Sequence, residues 1–353
     1  MNGQAALCYL CGYRTEESTM ITDARVLQDE FLPPEIEHRN SETNELARAL
    51  DPIERGESAE TAFLFGPSGA GKTCIARFTV DRLRERVLDV RYEYINCWQN
   101  YSYFGVLEAI LEGIGQTVDI HRQSTPRDEL VKRIQEYDKR QYIVILDEVD
   151  QLEDKSVLYD LYTNRNISMI LIANREEALF PQLDERLQSR LHSSRRIQFD
   201  RYDLSELVSI LEGRVQWGLH EEAIEQEQLK LIADEAAGDA RKAIGILRNS
   251  ARTAQQEGLG EIATEIIRDS IPDATTELRQ KNRGKLTPDQ QLLLEIIEEH
   301  AGISPGELYD RYEKEVDAPK SDRTIRNYLS KMRHYNLVEA EGEKRARAYY
   351  ALN

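Results

Sequence analysis

Apolar residues change their spacing along the chain, and the changes divide it into zones. From about residue 31 to 200, short apolar runs alternate with stretches of helical periodicity, the pattern of a parallel sheet covered by helices on both faces. The runs at 61–65 and 142–146 predict buried strands, and the second lacks alternation, as a strand covered on both faces does. Residues 167–173 and 195–199 predict further strands of this α/β core. Beyond Asp203 the strand signals vanish. Leu204, Leu207, Val208 and Leu211, then Leu229, Ile232, Ala233 and Ala236, recur at three- and four-residue spacing and predict an all-α bundle over 201–271. Residues 272–286 carry Arg279, Lys281, Arg283 and Lys285 but little apolar content, and are expected to form a linker.

Residues 287–353 predict a third domain. Thr287 and Pro288 have the chemistry of a helix cap and first turn, and Leu292, Leu293, Ile296 and Ile297 give that helix an apolar face. A second helix runs through 304–309 and a third through 321–332, followed by strands at 337–340 and 346–352 around a turn at 341–345. Three helices and a β-hairpin make a winged helix. At the other end, residues 1–30 are expected to be a leader, with 1–19 either disordered or an upstream start.

The strand at 61–65 runs into Gly66, Pro67, Ser68, Gly69, Ala70, Gly71, Lys72 and Thr73, and a helix opens at Cys74. Strand, glycine-rich loop and helix in this order form a phosphate-binding loop. Its backbone N–H groups and the helix N-terminus face the phosphates of ATP or ADP. Lys72 is expected to reach the β- and γ-phosphates and Thr73 to offer its hydroxyl to Mg²⁺. The strand at 142–146 ends in Asp147 and Glu148. Ligands of open α/β sheets lie beyond the carboxyl ends of the strands, so Asp147 is placed for the magnesium shell and Glu148 for the attacking water. The next strand delivers Asn174 to the same rim, where an amide would position water against the γ-phosphate.

Phosphate loop, Asp-Glu strand, strand-end Asn and helical bundle together resemble the AAA+ ATPases over residues 31–271. The resemblance implies that Asn174 is a first sensor and that the bundle is a lid over the nucleotide. Within Gly238-Asp239-Ala240-Arg241, it makes Arg241 a second sensor reaching back to the γ-phosphate. Just before the last core strand, Arg190 in a Ser-Arg pair, or alternatively Arg186, occupies the place of an arginine finger acting on a neighbouring subunit. Either arginine could instead be a surface residue pairing with Asp184 or Glu185.

Composition narrows the function classes. No apolar run approaches the length of a membrane span and no export signal is evident, so a cytoplasmic protein without a membrane partner is expected. Cys8 and Cys11 form a CxxC without a second ligand pair, which disfavours zinc. The formal net charge of −18 ordinarily counts against a polyanionic partner. Acids spread along the whole chain and arginine in excess of lysine, however, are the features of a protein kept soluble at high salt. Charge must then be read locally. From Lys320 to the C-terminus, eight basic residues face four acidic ones. A winged helix so charged would place Arg323, Thr324, Arg326 and Asn327 near base edges of double-stranded DNA, with Lys344, Arg345 and Arg347 of the wing on phosphates. Winged helices also dock proteins, and that alternative stays open.

AAA+ core, lid and winged helix in this order resemble the archaeal origin-recognition and cell-division-control type initiators over nearly the whole chain. The segments 23–27, 96–98, 121–126 and 172–175 look like the haloarchaeal branch. The resemblance implies a replication initiator that binds origin DNA, self-associates there, recruits or loads the replicative helicase and uses slow ATP hydrolysis as a switch. The alternative is an AAA+ regulator whose winged helix docks a promoter or a protein without loading a helicase. Family members contact DNA through an insertion corresponding to residues 101–125. Here Tyr103, Phe104, Leu107, Ile110 and Leu111 have the spacing of a packed helix. The CxxC leader and the short wing depart from the family pattern. From the acidic surface, stability is expected to fall sharply when potassium chloride is lowered from molar to dilute, as followed by thermal unfolding; indifference to salt would exclude a halophilic design.

Overall fold

Five strands, β1 (Ala62–Phe65), β2 (Arg91–Asn96), β3 (Tyr142–Asp147), β4 (Ile167–Ala173) and β5 (Arg195–Gln198), form one parallel sheet in the order β2-β3-β4-β1-β5. They are described in a computed structural model that covers residues 20–116, 120, 125–137, 140–342 and 347–352. Every residue of β1, β3 and β4 is buried, because successive side chains point to opposite faces and both faces are covered. On one face Leu64, Ile143, Ile145, Ile170 and Ile172 pack against α1 (Asn40–Leu50) and α2 (Lys72–Arg86). On the other, Phe63, Val144, Leu146 and Leu171 pack against α3 (Tyr103–Gly113), α4 (Arg127–Gln135), α5 (Val157–Tyr162), α6 (Glu176–Leu179) and α7 (Glu185–Leu191). Tyr103, Leu107, Ile110 and Leu111 of the insertion lie within this second core. The register pairs Phe65 with Ala173 and Asn96 with Asp147, so the strands end on a common rim.

The lid consists of α8 (Leu204–Gly218), α9 (Gln226–Ala236), α10 (Ala240–Gln256) and α11 (Thr264–Arg283). Asp203 opens α8 in a reciprocal cap with Glu206, and Asp239 caps α10. Two expectations are corrected here. Residues 20–30, expected as leader, belong to the lid: Met20 and Leu27 are buried in its core, and Ile21 bridges Leu219. Buried arginines of the lid hold this strap. Arg214 donates to the carbonyls of Val26 and Phe31, and Arg248 pairs with Asp29 at 3.1 Å and Glu277 at 2.9 Å. The expected linker at 272–286 is helical through Arg283, because Ile266, Ile267, Ser270 and Ala274 continue one buried face across Pro272. Lys281, read as a linker charge, pairs with Asp29 at 2.8 Å.

The C-terminal domain contains α12 (Pro288–Glu299), α13 (Pro305–Glu315), α14 (Asp322–His334) and the antiparallel strands β6 (Val338–Glu341) and β7 (Ala348–Ala351), with an extra bridge from Ile303 to Tyr349. This is the build of a winged helix. Thr287, Ser304 and Ser321 cap its three helices. Its core includes one residue of the ATPase domain: Trp98, just after β2, is fully buried among Leu293, Ile297, Met332 and their neighbours. The indole N–H donates to Gln290, Tyr335 packs on the ring at a centroid distance of 4.1 Å, and the Lys331 ammonium sits 4.2 Å from its centre. Lys320 and Tyr328 both reach Glu153, which follows β3.

Candidate nucleotide-binding site

The glycine-rich loop joins β1 to α2 and is packed as tightly as its residue types imply. Gly69 and Gly71 have φ of 73° and 92°. A Cβ on Gly69 would lie 2.0 Å from Asp239 Oδ1, and one on Gly71 would lie 2.4 Å from the Tyr202 hydroxyl. Glycine is thus required there both by backbone conformation and by close approach. The lid is joined to the loop directly: the Ala240 N–H donates to the Gly69 carbonyl at 3.2 Å.

Lys72 is buried and donates to the Gly66 and Pro67 carbonyls, both at 2.7 Å. Burial pushes its ammonium down to about 8, against the pull of Asp147 and Glu148. The Thr73 hydroxyl donates to Asp147 Oδ2 at 2.6 Å, and the Tyr94 hydroxyl reaches the same oxygen at 2.9 Å. Burial and the Asp147 charge keep Tyr94 protonated, so it is a fixed donor. Asp147 Oδ1 accepts from the Glu148 N–H at 2.9 Å. Glu148 itself has a φ of 56°, an uncommon conformation for a side chain of this kind. Burial, with Asp147 beside it, pushes its carboxyl up to about 7, while Tyr335, Lys331 and Lys285 pull the other way.

One cleft gathers these groups. It is lined by Ser68 to Ile75, Asp147, Glu148 and Asn174, with Arg241 entering from α10. Arg241 reaches Ser68 Oγ at 3.5 Å. Gly66 and Pro67 serve through their carbonyls on Lys72. Arg190 and Arg186 are exposed on α7 and are not among the residues lining this cleft. Arg190 lies over the rings of Tyr159 and Tyr162, at 4.6 and 5.9 Å. In the C-terminal domain, Arg323, Arg326, Asn327 and Arg347 are exposed. The Thr324 hydroxyl meets Ser321 Oγ at 3.0 Å in the cap of α14, and Arg326 lies 3.6 Å from Asp322. Lys344, Arg345, Cys8 and Cys11 lie outside the described residues, as do residues 117–119 and 121–124 of the insertion. Among the described residues no cluster has the makings of a zinc site, and no helix is long and apolar enough to cross a membrane.

Several lining residues were not singled out from the sequence. Phe31 and Pro33 of the strap, Ile210 and Trp217 of α8 and Ile244 of α10 make an apolar compartment beside the phosphate loop, of a kind that receives a flat base. The recurring apolar positions Met20, Val26, Leu27 and Phe31 were the available signal for the strap. Tyr94 and Tyr335 come from another strand and another domain, and no local pattern marks them.

A phosphate loop at the rim of a parallel sheet, acids on the next-but-one strand and a helical lid over the cleft define an AAA+ ATPase. The chain matches the AAA domain family over residues 55–180 and the Cdc6 AAA+ ATPase-type lid domain over residues 208–271. It is 50% identical over 330 residues to ORC1-type DNA replication protein 9 of Halobacterium salinarum, covering 94% of this chain and 93% of that one. It is 54% identical over 308 residues to ORC1-type DNA replication protein 1 of the same organism, covering 87% of this chain and all of the other. The chain belongs to the ORC1-type DNA replication proteins, the AAA+ replication initiators of archaea. Among solved structures, Aeropyrum pernix ORC1 in complex with DNA superposes with a TM-score of 0.72 at 25% identity, covering 95% of this chain and 94% of that one.

The depressed Lys72 ammonium predicts how nucleotide affinity depends on pH. A phosphate beside it raises its pKa, so above about 8 the complex holds a proton that the free protein has lost, and binding takes one up. Affinity measured by calorimetry is expected to weaken by up to about tenfold per pH unit above about 8. Flat affinity to pH 9.5 would show that Lys72 does not carry the phosphates.

Proposed function

We propose that the chain is an ATP-switched initiator that binds duplex origin DNA, recruits or loads the replicative helicase and uses slow hydrolysis as its reset. The observation that carries this proposal is the make-up of the cleft. Lys72 and Asp147 come from the sheet domain, Arg241 from the lid and Tyr335 from the C-terminal domain, and all line one space. A nucleotide bound there acts on the mutual placement of all three units, which is what a switch requires.

The donor set fits Mg²⁺, because the Thr73 hydroxyl and the Asp147 carboxylate already meet at 2.6 Å. The ion would neutralise charge on the β- and γ-phosphates. Lys72 would leave its loop carbonyls for the phosphates. Tyr94 would hold Asp147 in orientation. Asn174 would aim a water at the γ-phosphorus, and Glu148 would take the proton as the water oxygen attacks and ADP departs. Arg241 would sense the γ-phosphate from the lid. Arg190, exposed on α7 and not lining its own cleft, suits the cleft of a second copy assembled on DNA.

Aeropyrum pernix ORC1 has been solved with DNA, which supports a DNA-binding role for this chain; we assign that role to α14. Arg323, Arg326 and Asn327 are exposed on that helix, with Arg347 on the wing. Lys344 and Arg345 would add phosphate contacts. Lys72→Ala is expected to abolish nucleotide binding, and Glu148→Gln to retain binding while losing hydrolysis; normal hydrolysis in the second would refute the base assignment. Arg326→Ala is expected to weaken duplex binding roughly tenfold in a filter or anisotropy assay. Unchanged affinity would assign this face to a promoter-independent protein partner instead.

A further inference from the structure

Two buried arginines of the lid hold the strap, and they differ in one respect. Arg248 is neutralised by Asp29 and Glu277. Arg214, 6% exposed, pairs with no carboxylate among the described residues: its guanidinium donates to the carbonyls of Val26, Gln28 and Phe31, the last two at 3.3 and 3.2 Å. Holding a cation in the interior on neutral acceptors alone is costly, and an apolar side chain would fill the same space with a smaller desolvation penalty. What only a guanidinium supplies is a rigid planar fork that fixes several acceptors at once.

That fork acts where the strap borders the nucleotide cleft. Arg214 and Phe31 both line the cleft, and the guanidinium carbon lies 4.9 Å from the centre of the Phe31 ring. The Phe31 ring stands 6.5 Å from that of Trp217, tilted by 50°. Gly213, four residues before Trp217 and on the same face of α8, lines the same compartment. A Cβ on Gly213 would meet nothing nearer than 3.8 Å. No neighbour within the protein therefore demands glycine at this interior helical position, where glycine is a poor helix former. Bare helix backbone beside two aromatic rings is a seat for a flat ring system.

We propose that Arg214 is a positioning residue for the nucleobase: by fixing the Phe31 carbonyl it holds the Phe31 ring against a base seated on α8 at Gly213. It thereby secures the part of nucleotide affinity that the phosphates do not supply. The proposal rests on the cleft binding ATP.

The test titrates the full chain by calorimetry with ATP and, separately, with inorganic tripolyphosphate, each with Mg²⁺. The ratio of the two affinities isolates the base, and the parent is expected to prefer ATP. Arg214→Met is expected to lower ATP affinity roughly tenfold, the effect of losing hydrogen bonds from a charged donor, with tripolyphosphate affinity unchanged. Arg214→Lys is expected to recover part of the loss, and it decides by the same criteria if Arg214→Met does not fold. Gly213→Leu leaves Arg214 in place, fills the seat and is expected to lower the same ratio. Lys281→Met frees the strap from its ion pair at Asp29 and is expected to leave the ratio as in the parent. An unchanged ratio in Arg214→Met overturns the positioning role. So does an equal loss for both ligands, the mark of general loosening, and so does a matching loss in Lys281→Met, which would assign the effect to strap anchoring as a whole. An unchanged ratio in Gly213→Leu overturns the seat. A parent that binds tripolyphosphate as tightly as ATP refutes the base compartment and leaves the phosphate loop standing, whereas a parent that binds neither refutes the nucleotide site itself.

Discussion

Trp98 is buried completely, yet the residues that bury it belong to another domain. Enclosing an indole in this way is worth on the order of 4 kcal/mol, and a desolvated ammonium on its face adds to that. Those few kilocalories fasten the winged helix to the ATPase sheet at the end of β2, one strand from Asp147. The contact decides which side of α14 is offered to solvent. With Tyr328, Lys331 and Tyr335 turned inward, Arg323, Arg326 and Asn327 are left outward. The same helix thus has an exposed basic face and a face packed against the ATPase domain.

The nucleotide site depends on a second constraint, the common rim created by parallel register. Because Phe65, Asp147 and Ala173 end their strands together, Lys72 and Thr73 converge with Glu148 and with Asn174, three segments far apart in the chain. Burial then tunes them. It pushes the Lys72 ammonium down and the Glu148 carboxyl up, so both lie near neutrality before any phosphate arrives.

How much of this was legible depended on whether a feature is written locally. The phosphate loop, the acids after 142–146 and the capped helices of the C-terminal domain are short-range signals: glycines at fixed offsets, an uninterrupted apolar run, Thr287 before Pro288. The strap at 20–30 was read as leader because its Met20 and Leu27 are too few to announce a domain; they acquire meaning only against α8 and α10. Pro272 and four basic residues suggested a linker. The buried face of α11 outweighs the one backbone hydrogen bond that proline removes, and Asp29 neutralises Lys281. Tyr94 and Tyr335 were silent, and Lys331 was counted among the eight basic residues of the C-terminal end although it is buried on Trp98, for the same reason: a tyrosine or lysine at a helical or strand position looks like ordinary surface or core until its tertiary partner is known.

Helix α11 has a mechanical meaning that a flexible connection would lack. Its 20 residues form a rod about 30 Å long, with one end packed on α10 of the lid and the other leading into α12. A tilt of roughly 10° at the lid end of such a rod displaces the far end by about 5 Å, one helical pitch. Any tilt at the lid end is therefore geared up before it reaches the C-terminal domain, and the stiffness of α11 sets the ratio.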